Sequence, residues 1–314
     1  MSRDRRPDRA SPDAASAKAL DSGRVVSSHG RHVVVETPDG QRVLCHPRGK
    51  KSEVVVGDQV RWLRSGDEGV VEAIEPRRNR LFRQDEWRTK SFAANVDQLM
   101  MVVACDPPFS ESQLARAMIA AADACIPTTV VLNKIDLPQA DAARARLRPY
   151  RDMGVDVVEV ALKVDPAGSS ARLRPLLEHR VSLILGPSGA GKSTLINLLV
   201  PHARAQVGEV SKALSSGRHT TTTTSWYWLG TTHDAALIDS PGFQEFGLRQ
   251  IEIRQLAMLM PDLAAEAGRC RFHNCTHREE PDCGLREAVE AGRIAASRWR
   301  VYQELYAELS RQRW

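Results

Sequence analysis

The stretch Gly186-Pro187-Ser188-Gly189-Ala190-Gly191-Lys192-Ser193 decides how the rest of the chain is read. Its spacing is GxxxxGK(S/T), and its flanks decide whether the match has meaning. The apolar run Val181-Ser182-Leu183-Ile184-Leu185 precedes it, and Thr194-Leu195-Ile196-Asn197-Leu198-Leu199-Val200 follows. Strand, loop and helix are the context the motif requires; a chance glycine-rich turn needs neither flank. Glycines let backbone amides wrap an anion, and the next helix N-terminus faces it. Gly186, Ser188, Gly189, Ala190, Gly191, Lys192, Ser193 and Thr194 are therefore the candidate phosphate-binding set. Lys192 would reach the outer phosphates, and the Ser193 hydroxyl would hold Mg2+.

Downstream, Gly208 to Ser225 is rich in Gly, Ser and Thr and contains Gly217-Arg218-His219-Thr220-Thr221-Thr222. A Thr hydroxyl on a mobile loop suits a γ-phosphate sensor, because it joins Mg2+ only when the third phosphate is present. A strand at Ala235-Ala236-Leu237-Ile238 runs into Asp239-Ser240-Pro241-Gly242, a DxxG pattern. Asp239 would approach Mg2+ through water, and the Gly242 N–H would face the γ-phosphate. Phe243 stands where a Gln would orient the attacking water, and Gln244 is one position late.

Upstream, strand and helix patterns alternate. Gln98 to Ala104 is a buried strand, Glu111 to Cys125 an Ala-rich helix capped by Ser110, and Thr128 to Leu132 a second buried strand. A helix near 139–152, a strand near 155–161 and a helix near 170–179 lead to the P-loop strand. This alternation predicts a mostly parallel sheet with helices on both faces and ligands at the strands' C-terminal ends. The second strand ends in Asn133-Lys134-Ile135-Asp136. The Asp136 carboxylate can accept from both the ring N–H and the exocyclic amine of guanine; adenine offers no such pair. The Lys134 stem can cover the base, and Asn133 can tie this loop to the P-loop. NKxD alone is short and common, but beside a P-loop it completes one nucleotide site. The implied ligands are GTP and GDP with Mg2+. In ordinary small GTPases NKxD comes last; here it comes first. The chain is circularly permuted, which close termini permit, and the segment from Asp239 to Gly242 runs straight into whatever follows it.

Two flanking segments remain. Between Gly23 and Asn95, alternating strands at 24–27, 32–36, 41–45, 54–62 and 69–74 suggest a small barrel of the OB type. Arg42, Arg48, Lys50 and Lys51, then Arg77, Arg78, Arg80, Arg83, Arg88 and Lys90 with Phe82 and Trp87 interleaved, suit RNA contact. Near the C-terminus, Cys270, Cys275, His277 and Cys283 give C-x4-C-x-H-x5-C, a closed set of four ligands for one structural Zn2+. Leu285 to Arg311 reads as one or two helices, with Trp299, Tyr302, Leu305 and Leu309 as a packing stripe.

Taken together, these residues resemble the circularly permuted, ribosome-associated GTPases of the RsgA/YjeQ type over about residues 20 to 312. The resemblance rests on Ala93-Ala94-Asn95-Val96-Asp97, Asn133 to Asp136, Gly186 to Thr194, Gly217 to Thr222, Asp239 to Phe243 and the Cys/His cluster. It implies an N-terminal OB barrel, a permuted α/β P-loop GTPase domain and a C-terminal, mainly helical zinc domain. The corresponding boundaries are a disordered arm at 1–20, the barrel at 21–92, the GTPase domain at 93–246 and the zinc domain at 247–314. It also implies a GTP hydrolase stimulated by the small ribosomal subunit and its rRNA, acting late in that subunit's maturation. The resemblance further implies His219 as the substitute for the missing Gln and Thr221, among Thr220 to Thr224, as the Mg2+ ligand. Val160-Ala161-Leu162-Lys163 stands where other GTPases carry SAK or SAL, without the Ser.

The bulk numbers are consistent with this. The 314 residues suit two or three domains, and 42% hydrophobic content is enough for real cores. A net charge of +5 leans toward a polyanionic partner. No apolar run approaches the roughly 20 residues of a membrane span, and the charged first twenty residues lack the apolar core of a signal peptide. Six cysteines in such a chain argue against a disulfide framework, and Cys45, Cys105 and Cys125 read as buried thiols. The expectation is a cytoplasmic monomer without a membrane partner. The rival reading is a GTP-regulated RNA-binding module whose hydrolysis is incidental.

Overall fold

The computed structural model describes residues 20–29, 32–49, 53–84, 89–201, 203, 223–241, 243 and 247–311. His219, Thr221, Gly242 and the N-terminal arm to residue 19 lie outside them, as do Lys50, Lys51, Trp87, Arg88 and Gln244.

Five strands close the N-terminal barrel: β1 (Asp21–His29), β2 (His32–Glu36), β3 (Arg42–Pro47), β4 (Gln59–Ser65) and β5 (Glu68–Ile74). They follow the order β1-β2-β3-β5-β4, and β4 returns to pair with β1, leaving no open edge inside the ring. Alternate residues point inward, including Val25, Val33, Val35, Val43, Cys45, Val60, Trp62 and Val71. The expected strand at 54–62 starts only at Gln59. Val54 to Asp58 is a turn, because the Asp58 carboxylate accepts from the Val55 amide (2.8 Å) and from Arg77 (2.6 and 2.8 Å). Gly57 is required there: its φ is +93°, and a Cβ would stand 2.1 Å from the Ala94 carbonyl oxygen.

A hairpin that periodicity did not reveal follows: β6 (Arg80–Gln84) and β7 (Thr89–Ala94). The α/β layer then unfolds in the expected alternation. Its elements are β8 (Gln98–Ala104), α1 (Glu111–Asp123), β9 (Thr128–Asn133), α2 (Ala140–Asp152), β10 (Asp156–Val160), α3 (Pro166–Leu177), β11 (Val181–Leu185), α4 (Lys192–Leu199), β12 (Thr224–Leu229) and β13 (Ala235–Asp239). Strands β10-β9-β8-β11-β13 are parallel; β12 is antiparallel at their edge. In β8, Leu99, Met101 and Val103 face one core, while Met100, Val102 and Ala104 face the other. Such double burial gives a near-continuous apolar strand. Ser110 caps α1 by accepting from the Gln113 amide at 3.3 Å. Helix α3 begins four residues before the expected 170, because Asp165 accepts from the Gly168 amide at 2.9 Å and Pro166 occupies the first turn.

Strand β12 also pairs with barrel strand β1, Ser27 opposite Ser225 and Ser28 opposite Thr224. Barrel and α/β layer are thus one continuous eleven-stranded sheet. The C-terminal segment adds α5 (Pro261–Ala267), α6 (Gly284–Glu290) and α7 (Ala296–Arg311). Tyr302, Leu305 and Leu309 are buried and Trp299 packs beside them, so the stripe is a packing surface. Arg298, 2% exposed, joins Asp262 through two hydrogen bonds (2.7 and 3.0 Å) and lies 4.8 Å over the Tyr150 ring of α2.

Cys45 and Cys105 are buried as expected, but Cys125 is exposed. It occupies the left-handed position just past α1, at φ +55°. Its N–H donates to the Ala122 carbonyl (3.0 Å), and the Ile126 N–H donates to that of Ala121 (2.8 Å). That pair of bonds is the Schellman ending of a helix, which turns residue 125 outward and buries Ile126 instead.

Candidate nucleotide site and zinc cluster

At the C-terminal ends of the parallel strands lies a cleft of about 580 Å3. Asn133, Lys134 and Asp136 line it from the end of β9, Leu162 and Lys163 from the end of β10, and Pro187 to Gly189 and Gly191 to Thr194 from the P-loop after β11. The sheet reverses its winding between β8 and β11, so the cleft sits at the switch point where such folds bind ligands. Asn133 is buried and joins three loops. Its side-chain N–H donates to the Ala190 carbonyl at 2.9 Å, and its oxygen accepts from the Leu162 amide at 3.2 Å. The 160–163 loop, which lacks the Ser, is tied to the NKxD loop through this Leu162 amide. Gly191 approaches the same side chain so closely that a Cβ would stand 2.2 Å from Asn133 Nδ2, at φ +105°.

The Lys192 ammonium donates to the Gly186 carbonyl at 2.9 Å, folded across the mouth of the loop. Lys134 donates to the Asp106 carbonyl at 2.5 Å, which holds its stem along the cleft. Asp136 is exposed at the rim, where it can meet an incoming base. Asp239 ends β13. Burial pushes its carboxyl up, and the nearby Lys192 charge partly offsets this. Burial pushes the Lys192 ammonium down, with Asp239 opposing. A half-buried cation and carboxylate that feel each other's charge fit a site that takes phosphate oxygens beside a divalent ion. The structure therefore brings the P-loop and the NKxD loop together on one cleft, with Asp239 near the Lys192 charge.

Sequence reading missed the clasp on this last segment. The Lys90 ammonium on β7 donates to the Pro241 carbonyl at 2.7 Å. Strand β6 bonds the chain beyond it: the Gln84 amide to the Gly247 carbonyl (3.3 Å), and the Arg249 amide to the Gln84 carbonyl (3.1 Å). A lysine in a basic run carries no signal of such a role. Other members of that run also work inside the fold, since Arg77 pairs with Asp58, Arg78 with Asp97 and Arg80 with Glu53.

The four Cys and His ligand atoms lie within 4.8 Å of one another. His277 Nδ1 is 3.4 Å from Cys270 Sγ and 3.5 Å from Cys283 Sγ. A tetrahedron built on zinc–sulfur bonds of about 2.3 Å and a zinc–nitrogen bond of about 2.0 Å has edges of roughly 3.5–3.8 Å, so the set fits one zinc ion. His273 is exposed and outside the cluster.

A family model described as RsgA GTPase matches residues 74–249. The small ribosomal subunit biogenesis GTPase RsgA of Variovorax paradoxus strain S110 is 55% identical over 304 residues, covering 95% of this chain and 96% of that relative. The crystal structure of YjeQ from Thermotoga maritima matches with a TM-score of 0.70 and 29% identity, covering 92% of this chain and 98% of that one. The crystal structure of YloQ, a circularly permuted GTPase, matches with a TM-score of 0.68, covering 96% and 99%; at 24% identity it shows the fold alone.

Proposed function

The chain belongs to the RsgA family of GTPases, hydrolases acting on GTP, and from that premise we propose that it acts on the small ribosomal subunit during that subunit's late maturation. One observation carries this reading. The NKxD loop and the P-loop converge on a cleft, with Asp239 close enough to Lys192 to interact with its charge, and the sheet beneath continues into a closed barrel of the oligonucleotide-binding type. A nucleotide site so joined to a barrel suits a protein that couples nucleotide state to RNA contact.

In this proposal Asp136 selects guanine, Asn133 and Lys134 hold the base loop, and the amides from Gly186 to Thr194 cradle the phosphates. Ser193, Thr221 and, through water, Asp239 would hold Mg2+, which would supply neutralisation of phosphate charge. Lys192 and the Gly242 N–H stabilise charge on the transferred group as water attacks the γ-phosphate. Phe243 is buried and has no group to orient water, so that task falls to His219. Cys270, Cys275, His277 and Cys283 bind one structural zinc ion. We assign the barrel to 21–92, the GTPase domain to 93–246 and the zinc domain to 247–314, in a monomeric cytoplasmic protein whose partner is the small subunit and its rRNA. Among the described residues no helix is long and apolar enough to cross a membrane.

The test is His219→Ala. Turnover stimulated by small subunits should fall by about 100-fold, the scale of one acid–base or positioning group, while GTP affinity stays unchanged. Full stimulated turnover in that variant would remove His219 from the mechanism. Survival of cellular function without any turnover would favour an RNA-binding module instead.

A further inference from the structure

Three buried hydroxyls and one imidazole connect the barrel to the nucleotide site, and no part of the chemistry above uses them. Ser27 is 6% exposed, Thr224 9% and Ser240 1%. His29 Nδ1 is 3.2 Å from Thr223 Oγ1, and its Nε2 is 2.8 Å from Ser27 Oγ. Ser27 Oγ donates to the Thr224 carbonyl at 3.3 Å, and Thr224 Oγ1 meets Ser240 Oγ at 2.9 Å. The direction of the chain follows from the donor count. The single Ser27 proton goes to a carbonyl, so Ser27 Oγ must accept from His29 Nε2–H. His29 Nδ1 is then bare and accepts from the Thr223 hydroxyl. Burial, with a smaller contribution from His32, pushes His29 below the ordinary imidazole value, which favours this neutral form.

The positions matter more than the bonds themselves. Thr223 and Thr224 stand two and three residues after Thr221, and Ser240 follows Asp239 directly. The rest of β1 is fastened to the same strand. The Arg24 guanidinium lies 4.8 Å from the Trp226 ring and 5.0 Å from the Trp228 ring, and Trp228 Nε1 donates to Glu36 of β2 at 2.6 Å. Strand β12 therefore cannot shift without the barrel.

We propose that His29 is a positioning residue: with Ser27 it sets the register of Thr223 and Thr224 against Ser240, so that the barrel fixes the two segments that recognise the γ-phosphate. The inference rests on the GTPase reading above and names barrel residues that act on it without touching nucleotide. A barrel moved by its RNA would move these segments with it.

The test compares affinity for a non-hydrolysable GTP analogue with affinity for GDP in the full-length protein. In His29→Ala the preference for the analogue should fall about fivefold, the effect of losing the His29–Thr223 hydrogen bond, with GDP affinity unchanged. His29→Asn, whose amide oxygen can replace Nδ1 toward Thr223, should keep the preference. Adding His29→Ala to Thr223→Val should cost nothing beyond Thr223→Val alone. An unchanged preference in His29→Ala, an additive double variant, or parallel loss of GDP affinity would each overturn the proposal. Wild-type protein that binds these nucleotides yet never hydrolyses GTP beside small subunits would contradict the function instead, and the binding comparison would still be readable.

Discussion

Asp136 is exposed on the rim of the cleft and contributes no packing, so its replacement isolates recognition from stability. Asp136→Asn should weaken GDP binding by about 100-fold, the loss of charge-assisted bonds worth about 1.5–3 kcal/mol each, and leave Tm unchanged; titration calorimetry reads the first and thermal melts the second. Cys125 is a different kind of residue. It holds a left-handed backbone at φ +55° that a glycine adopts without cost. Cys125→Gly should stabilise the protein by about 1 kcal/mol, seen as a higher denaturant midpoint. The thiols should also separate by reactivity. Burial pushes the Cys45 thiol up to about 12, so at pH 8 almost none of it is thiolate, whereas Cys125 is exposed. Mass spectrometry after brief alkylation of the zinc-loaded protein should find Cys125 modified and Cys45 intact. Cys125 also shows where residue patterns mislead: an apolar neighbourhood in sequence predicted burial, but the Schellman turn decides direction one residue at a time.

The β6–β7 hairpin clasps the segment after Asp239 through Lys90 and the backbone of Gln84. Lys90→Ala should therefore speed amide exchange at Arg249, whose N–H bonds to Gln84, while amides of β8 stay protected; hydrogen exchange with mass spectrometry reads both. Elements whose identity is local were legible in the sequence. The P-loop, NKxD and DxxG each combine a buried strand with turn chemistry, and all three strands stand where expected. The hairpin was not legible, because charged residues from Arg80 to Lys90 mask the few that pack, Leu81, Phe92 and Ala93. Val54 to Asp58 misled in the opposite way: its valines alternate with nothing, and the Asp58–Arg77 contact that makes it a turn spans nineteen residues. The start of α3 carried its signal openly in Asp165-Pro166, a cap followed by a first-turn proline.

At the scale of the whole molecule, the permuted order explains the layout. Opening the chain elsewhere places the barrel before NKxD and the segment with the Cys/His cluster after the DxxG residues. The sequence order showed both neighbours; the antiparallel pairing of β1 with β12 that fuses barrel and α/β layer into one sheet was invisible to it, because it joins residues almost 200 positions apart. None of the zinc ligands lines the nucleotide cleft. Cys275→Ser should accordingly lose the metal and the protection of residues 270–283, while GDP affinity changes by less than about twofold, as for sites without shared partners. The most direct measurement is GTP turnover by the purified full-length protein with and without purified small ribosomal subunits, with ATP as control. Small subunits should raise GTP turnover at least about tenfold, a gain of about 1.4 kcal/mol in the barrier, with no ATP turnover; a GTP rate that the subunits leave unchanged would contradict the proposed function.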